Sequence, residues 1–304
     1  MSLWTSYYRP RTVEEAVDLL GSTNGRAAVV AGGTDLLLDL QQGRYGTVEA
    51  LIDVTLVEEM CQIGTQDGRI FVGASSTHRE ITHHPLLTAH AAALVEGCGL
   101  IGGPQVRNVA TIGGNVAHAL PAGDGTISLV ALDAEAELAS ARGRRRLPII
   151  DLFAGPGETT FDRQRELIVG FRIPVRHDFE GSAFRRVMRP QGVAIAILNM
   201  GGWTRMTPDG RIEDIRLAVG PAGPRPFRGL KTERLLRGLV FDDDAIAQAG
   251  ETLLEEVHLR TSAHRASQSY RSRLVPVLLK RTLDAARAKA MSGKFATQGE
   301  VGLV

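Results

Sequence analysis

Apolar residues at Val13, Ala16, Val17 and Leu20 recur at helical spacing just behind Thr12-Val13-Glu14-Glu15, a capping-box sequence. Together they predict a helix that opens at Thr12. Asn24-Gly25 marks a turn, the apolar run 26–30 reads as a strand, and 50–54 reads as another. A leucine-rich helical stretch after Asp35 lies between those two strands, so the segment predicts a small β-α-β unit. Residues 60–73 then give two short strands around Gln66-Asp67-Gly68, a hairpin signal. Thr77-His78-Arg79-Glu80 is a second capping box, and 86–96 has a helical pattern. Residues 127–131 are predicted helical, 134–139 and 146–150 extended, and 168–174 a strand that Pro174 ends.

The pattern loosens over 175–181, and a domain boundary is expected there, with residues 1–178 as the first domain. Residues 182–187, 193–200 and 212–219 read as an antiparallel meander whose last turn is Pro208-Asp209-Gly210. Two long helical patterns follow, 243–259 and 267–291, and Pro276 is expected to kink the second. They complete a second domain, 179–292; the remaining 293–304 are small and polar and are expected to fray. The fold class is α+β. A two-part first domain has a small β-α-β unit and a mixed or antiparallel sheet with helices, and a smaller domain has a three-stranded antiparallel sheet and helices.

Charge changes the picture by exclusion. The chain of 304 residues carries 35 basic and 34 acidic side chains, so global charge gives no reason to expect nucleic-acid or membrane-surface binding. No apolar run approaches the roughly 18–20 residues of a membrane span, and the N-terminus lacks the pattern of a secretory signal. A cytoplasmic protein is expected. The two cysteines, Cys61 and Cys98, are too few for a cluster held by four thiolates. His78, His83, His84, His90 and His118 show no metal-ligand spacing, so no metal site is expected. The arginines at Arg142, Arg144, Arg145 and Arg146 read as a solvated hairpin face.

Candidate chemistry concentrates in 101–124, IGGPQVRNVATIGGNVAHALPAGD, which holds five glycines. The Gly113-Gly114 pair offers φ > 0 or close backbone approach. Thr111, Asn115, His118 and Asp124 add donors and acceptors. Such a stretch suits either a turn serving only the fold or a groove around a polar, phosphate-bearing ligand. A second segment, Val29-Val30-Ala31-Gly32-Gly33-Thr34-Asp35-Leu36, runs strand, glycine turn, helix start, which aims amide N–H groups at an anion. Thr34 can cap that helix. Two glycine loops suggest one extended ligand touched twice. Two other motifs are decoys. Gly97-Cys98-Gly99-Leu100-Ile101-Gly102 fits G-x-G-x-x-G but follows a helical pattern, and Gly103-Pro104 stands where a helix should begin. Around Gly223 and Gly229, Pro224, Pro226 and the spacing to Lys231-Thr232 break the P-loop pattern.

AGGTDLLL at Ala31, TIGGN at Thr111 and the PAGD turn ending at Asp124, in that order, resemble the FAD-binding medium subunit of the molybdenum hydroxylases, the group of xanthine dehydrogenase and aerobic carbon monoxide dehydrogenase. ELIVGFRIP, VAIAILNM, PDGRIEDIRLAVGPAGPRP and SYRSRLVPVLLKRTL extend the likeness over nearly the whole chain. The resemblance implies a PCMH-like first domain and non-covalent FAD in the cleft between the two domains. Val29, Val30, Ala31, Gly32, Gly33, Thr34, Asp35 and Leu36 would wrap the pyrophosphate and ribityl chain. Thr111, Gly113, Gly114 and Asn115 would form the opposing loop, and Ala117, His118, Gly123 and Asp124 would continue along the cofactor, Asp124 toward a sugar hydroxyl. Ile101 and Ile168 match positions that hold the adenine, and Arg185 falls where a cation lies near the flavin ring. The implied partners are a [2Fe–2S] iron–sulfur small subunit and a molybdopterin-binding large subunit, as a dimer of heterotrimers, with no metal and no catalytic side chain on this chain. NAD, a quinone or oxygen would take the electrons. The loop from Arg189 to Gly192 lacks the tyrosine some relatives place by the flavin, and no cysteine-bearing insertion for a [4Fe–4S] cluster is present. A self-sufficient reductase of the sugar-nucleotide type and a non-catalytic nucleotide-binding module are the rival readings.

Overall fold

The structure, a computed structural model, describes residues 3–292 except 24, 45, 47 and 190–194. Asn24 of the expected first turn, most of the loop from Arg189 to Gly192, the start of the expected 193–200 strand and the 293–304 tail therefore lie outside the described residues.

The first helix, Val13–Ser22, is capped by Thr12, whose hydroxyl accepts from Glu15 N, and it buries Val13, Ala16, Val17 and Leu20. Burying each of Val13, Val17 and Leu20 stabilises by about 1.5–3 kcal/mol. The box is only half closed: the Glu15 carboxylate reaches back to Arg11 N at 2.8 Å instead of Thr12 N. At Thr77 both halves of the box are present.

A parallel three-stranded sheet takes the order Ser6–Tyr8, Ala50–Asp53, Ala27–Val30, with helix Leu36–Gln41 in the crossover between the last two strands. A five-stranded antiparallel sheet follows, ordered Ile63–Gln66, Arg69–Gly73, Glu166–Pro174, Glu135–Ser140, Gly143–Pro148. Its first hairpin turns at Asp67 and Gly68, both with positive φ. The arginine-rich strand is more than a solvated face. Arg144 pairs with Glu14, Glu59 and Glu137, which ties the hairpin edge to the first helix and to helix Glu58–Cys61.

The last sheet has four antiparallel strands, not the three expected: Glu180–Val187, Leu198–Met206, Ile212–Gly220 and Phe227–Arg228. Its second strand lies further along the chain than the predicted 193–200. The apolar alternation of VAIAILNM favours the earlier placement, but packing selects the glycine pair Gly201-Gly202. Successive strand residues face opposite sides. A Cβ on Gly201 would meet Ala131 Cβ at 2.9 Å, and one on Gly202 would meet Thr282 Cγ2 at 3.0 Å. The sheet is thereby sandwiched between helix Asp124–Ala131, from the first half of the chain, and the long helix Gln268–Met291. Phe184, Trp203 and Ala218 join the main core together with helix Asp124–Ala131, while a second core fills the space among the sheet, helix Asp243–Glu256 and the long helix.

Three helical expectations change in detail. The 86–96 pattern is two helices, Pro85–His90 and Ala92–Gly99, broken at Ala91. Helix Leu230–Leu236 was not legible. A helix does begin at the Gly103-Pro104 step, Pro104–Arg107, because proline is well suited to a first helical position. The decoy G-x-G-x-x-G still fails, since it ends helix Ala92–Gly99 instead of following a strand.

Candidate functional site

Strand Ala27–Val30 delivers the chain into Gly32-Gly33, and Gly33 has φ +66°, a left-handed turn that favours glycine. Helix Leu36–Gln41 starts three residues later and is anchored by Leu40, which packs with Ala28, Val30, Val48 and Leu51. Thr34 does not cap it: the N-cap is Asp35, and no side chain bonds the helix start. Consequently the backbone N–H groups of Gly32, Gly33, Thr34, Asp35 and Leu36 donate to no acceptor among the described residues. Most buried amides find a partner. A run of five partly exposed ones, curled by a positive-φ glycine, is a concave anion nest.

This loop lies against the central stretch. A Cβ on Gly32 would collide with Val109 O and stand 2.7 Å from Ala110 Cα. Two residues further on, Thr111 caps helix Ile112–Ala117, its hydroxyl accepting from Gly114 N. The TIGGN glycines thus sit in a helix and not in a left-handed turn, and neither has positive φ. Nor do its first amides face a ligand. Ile112 N donates to Ser76 O at 3.1 Å and Gly113 N to Ala74 O at 2.8 Å. The expected amide-lined opposing wall is therefore stitched into the fold. Gly113 is buried, with a would-be Cβ 2.6 Å from Ala74 Cβ; Gly114 is exposed and would meet only Thr111 Oγ1 at 3.3 Å.

Behind this helix start sits His78, which is 1% exposed and whose backbone N–H donates to Ala110 O. Burial, with the Arg107 cation adding to it, lowers its pKa to about 4, so the imidazole is neutral at pH 7. Arg107 donates to the carbonyls of Ile101 and Gly102, fixing the loop ahead of the helix. Ile101 is half-buried against the main core, whereas Ile168 is inside it on strand Glu166–Pro174.

The remaining candidates gather where the two halves meet. Asn115 Oδ1 accepts from Thr126 N at 3.0 Å and Thr126 Oγ1 at 3.1 Å, which ties helix Ile112–Ala117 to helix Asp124–Ala131. Ala117, His118 and Gly123 are half-buried between them. The carboxylate expected to face a sugar hydroxyl is turned into the fold: Asp124 accepts from Asn199 Nδ2 at 2.6 Å and from Arg186 Nη1. Burial pushes its carboxyl up, and the Arg186 charge and the Asn199 bond oppose that. Arg185 points away from this pair. It bonds Glu96 Oε2 at 2.8 Å with a 38% exposed side chain, while the Arg186 side chain is 7% exposed. Adjacent strand residues take opposite faces, so the cation against the PAGD turn is Arg186. Sequence reasoning set Arg185 ahead of its neighbour Arg186 and missed Asn199 and His78, because these contacts join distant segments. The alternation along strand Glu180–Val187 was the one available signal. Among the described residues no three His, Cys, Asp or Glu side chains form a metal-binding group, and no helix is long and apolar enough to cross a membrane.

Comparison with known proteins gives two family matches: FAD binding domain in molybdopterin dehydrogenase over residues 3–176, and CO dehydrogenase flavoprotein C-terminal domain over 182–286. The xanthine dehydrogenase FAD-binding subunit of Escherichia coli O157:H7 is 30% identical over 94% of this chain and 97% of its own. The nicotinate dehydrogenase FAD-subunit of Eubacterium barkeri is 31% identical over 76% of this chain and 79% of its own. Among solved structures, carbon monoxide dehydrogenase from Hydrogenophaga pseudoflava superposes with a TM-score of 0.88 at 28% identity, over 94% of this chain and 98% of that one.

Proposed function

The chain belongs to the family of FAD-binding subunits of molybdopterin dehydrogenases, and from that premise we propose that it is the electron-transfer subunit of a multi-subunit molybdenum hydroxylase. On this reading a [2Fe–2S] small subunit delivers electrons, a molybdopterin-binding large subunit hosts the organic substrate, and NAD, a quinone or oxygen is the acceptor. The assembly is a cytoplasmic dimer of heterotrimers. Bound FAD supplies the ability to take up electrons singly and release them in pairs.

What the chain's own residues do follows from the geometry. The amides of Gly32, Gly33, Thr34, Asp35 and Leu36 hold the pyrophosphate, at the end of the strand carrying Val29 and Val30 and through the turn at Ala31. The exposed Gly114 leaves the cofactor room beside Thr111 and Asn115, with Gly113 fixing the helix beneath. Ala117, His118 and Gly123 line the cleft, and Ile101 and Ile168 form the apolar wall for the adenine. Asp124 acts as a positioning residue through Arg186 and Asn199. Arg186, on the strand face turned to the PAGD turn, supplies positive charge there, which stabilises a reduced, anionic cofactor, while Arg185 on the opposite face is held by Glu96. The chain divides at 178/179 into a FAD-binding part and a C-terminal part of 179–292. Arg176 braces the junction by donating to the carbonyls of Glu180 and Lys289.

The observation that carries this reading is the run of five amides without an acceptor among the described residues. The test is affinity purification of the tagged chain from its native host, with flavin and metal analysis. Stoichiometric, acid-releasable FAD together with iron and molybdenum on co-purifying chains is expected. A chain that purifies alone and without flavin overturns the proposal.

A further inference from the structure

A cavity of about 260 Å³ lies at the junction of the two halves, away from the glycine loops. Leu132, just past the C-terminal end of helix Asp124–Ala131, lines it. Asp124 marks the other end of that helix, roughly 12 Å away at 1.5 Å per residue. Along strand Leu198–Met206 the separation is similar: Asn199 bonds Asp124, whereas Trp203 and Arg205 line the cavity.

The wall is strongly cationic. Arg69, Arg176, Arg205 and Arg216 face Glu180, the sole lining carboxylate among the described residues. The acids outside the wall that form ion pairs with Arg69, Arg205 and Arg216 stand at long range. Glu135 is 3.4 Å from Arg69, Glu213 is 3.4 Å from Arg205, and Asp133 is 3.9 Å from Arg216. Charge-assisted hydrogen bonds are shorter, about 2.7–2.9 Å. Arg69 Nη1 and Arg205 Nε make no hydrogen bond among the described residues. Arg216 lies over the Trp203 ring, 4.0 Å from its centroid, and burial works against its charge.

We propose that this cavity binds a small, multiply charged oxyanion, phosphate-bearing or a dicarboxylate, held by Arg69, Arg205 and Arg216. Guanidinium forks match the geometry of both ligands. The size limits the choice: the volume is close to the lower end of the roughly 300–1,000 Å³ range of small-molecule pockets. Arg216 already covers one face of Trp203, so that face has no room for a nucleobase to stack. The site is separate from the flavin loops, and its occupation would clamp the hairpin at Arg69 to the strands carrying Arg205 and Arg216.

Equilibrium dialysis of the FAD-loaded full chain against sodium pyrophosphate, inorganic phosphate and succinate, at ionic strength fixed with chloride, tests this. Saturable binding of at least one of them at one site per chain is expected, and the preferred anion distinguishes phosphate from dicarboxylate chemistry. Arg205→Gln and Arg69→Gln should each weaken it at least tenfold, about 1.4 kcal/mol. Arg211→Gln, at a surface arginine paired with Asp209 and outside the cavity, should leave it unchanged. Arg69→Gln remains informative if Arg205→Gln does not fold, because the Arg69 side chain is 37% exposed. No saturable binding of any of the three, or equal weakening by Arg211→Gln, overturns the proposal.

Discussion

Gly32 and Gly114 are glycine for opposite reasons. At Gly32 the neighbour is the protein itself, and the backbone at Val109 and Ala110 cannot give way as a flexible side chain would. Gly32→Ala should therefore destabilise the fold by about 1–3 kcal/mol, the usual cost of overpacking, and lower flavin content with it. Urea unfolding followed by circular dichroism reads the first effect and the visible flavin band the second. At Gly114 nothing of the chain stands close except the Thr111 hydroxyl. Gly114→Val should keep the unfolding midpoint near the wild-type value while the purified protein loses most of its FAD; full flavin loading would show that the position is only structural. His78 gives a pH prediction. Its pKa is depressed on folding from the ordinary value near 6.5 to about 4, so the unfolded chain binds the proton more readily. Stability is retained above pH 6.5 and falls as pH drops toward 4, by up to about 3 kcal/mol at 1.36 kcal/mol per pKa unit. His78→Gln should flatten that part of the stability profile measured between pH 7 and pH 4. The glycines were legible as residue types, but which of them packs on backbone and which faces open space was not, because the partners at Ala74 and Val109 are remote or unmarked.

At the scale of elements, the contact between helix Asp124–Ala131 and strand Leu198–Met206 decides how the halves sit. Asp124, Arg186 and Asn199 are its polar centre, all three nine-tenths buried or more in side chain or residue. Arg186→Met leaves a buried carboxylate without its cation and should cost about 3–5 kcal/mol in urea unfolding. The double variant Asp124→Leu with Arg186→Met should be less destabilised than the sum of the two singles, since both remove one interaction. Strict additivity would mean that the pair does not act as a unit. The helices with caps were readable locally: Thr12, Thr77 and Ser267 each mark a start. The second strand of the last sheet was misplaced because its glycine pair has poor strand propensity and is selected by the helices on either face. The TIGGN segment offers either a turn or a ligand groove in sequence, and its helix is hidden for the same reason: glycine signals a turn locally, while capping by Thr111 and packing against Ala74 make it helical.

For the whole molecule, the order of the two glycine motifs and the PAGD turn carried the family likeness, and the pattern of strands and helices carried the α+β architecture. What the sequence could not show was that the two motifs touch at Gly32 and Val109, or that the opposing amides are already bonded to Ser76 and Ala74. The account makes the 32–36 loop the principal phosphate contact and gives this chain no substrate chemistry of its own. The most direct measurement is anaerobic: the FAD-loaded chain and its native complex are each mixed with organic substrates accepted by the complex, and the visible flavin band is followed. The band should stay unchanged in the isolated chain and bleach only in the complex. Rapid bleaching of the isolated chain by an organic substrate would contradict the account and make the protein a self-sufficient flavoenzyme.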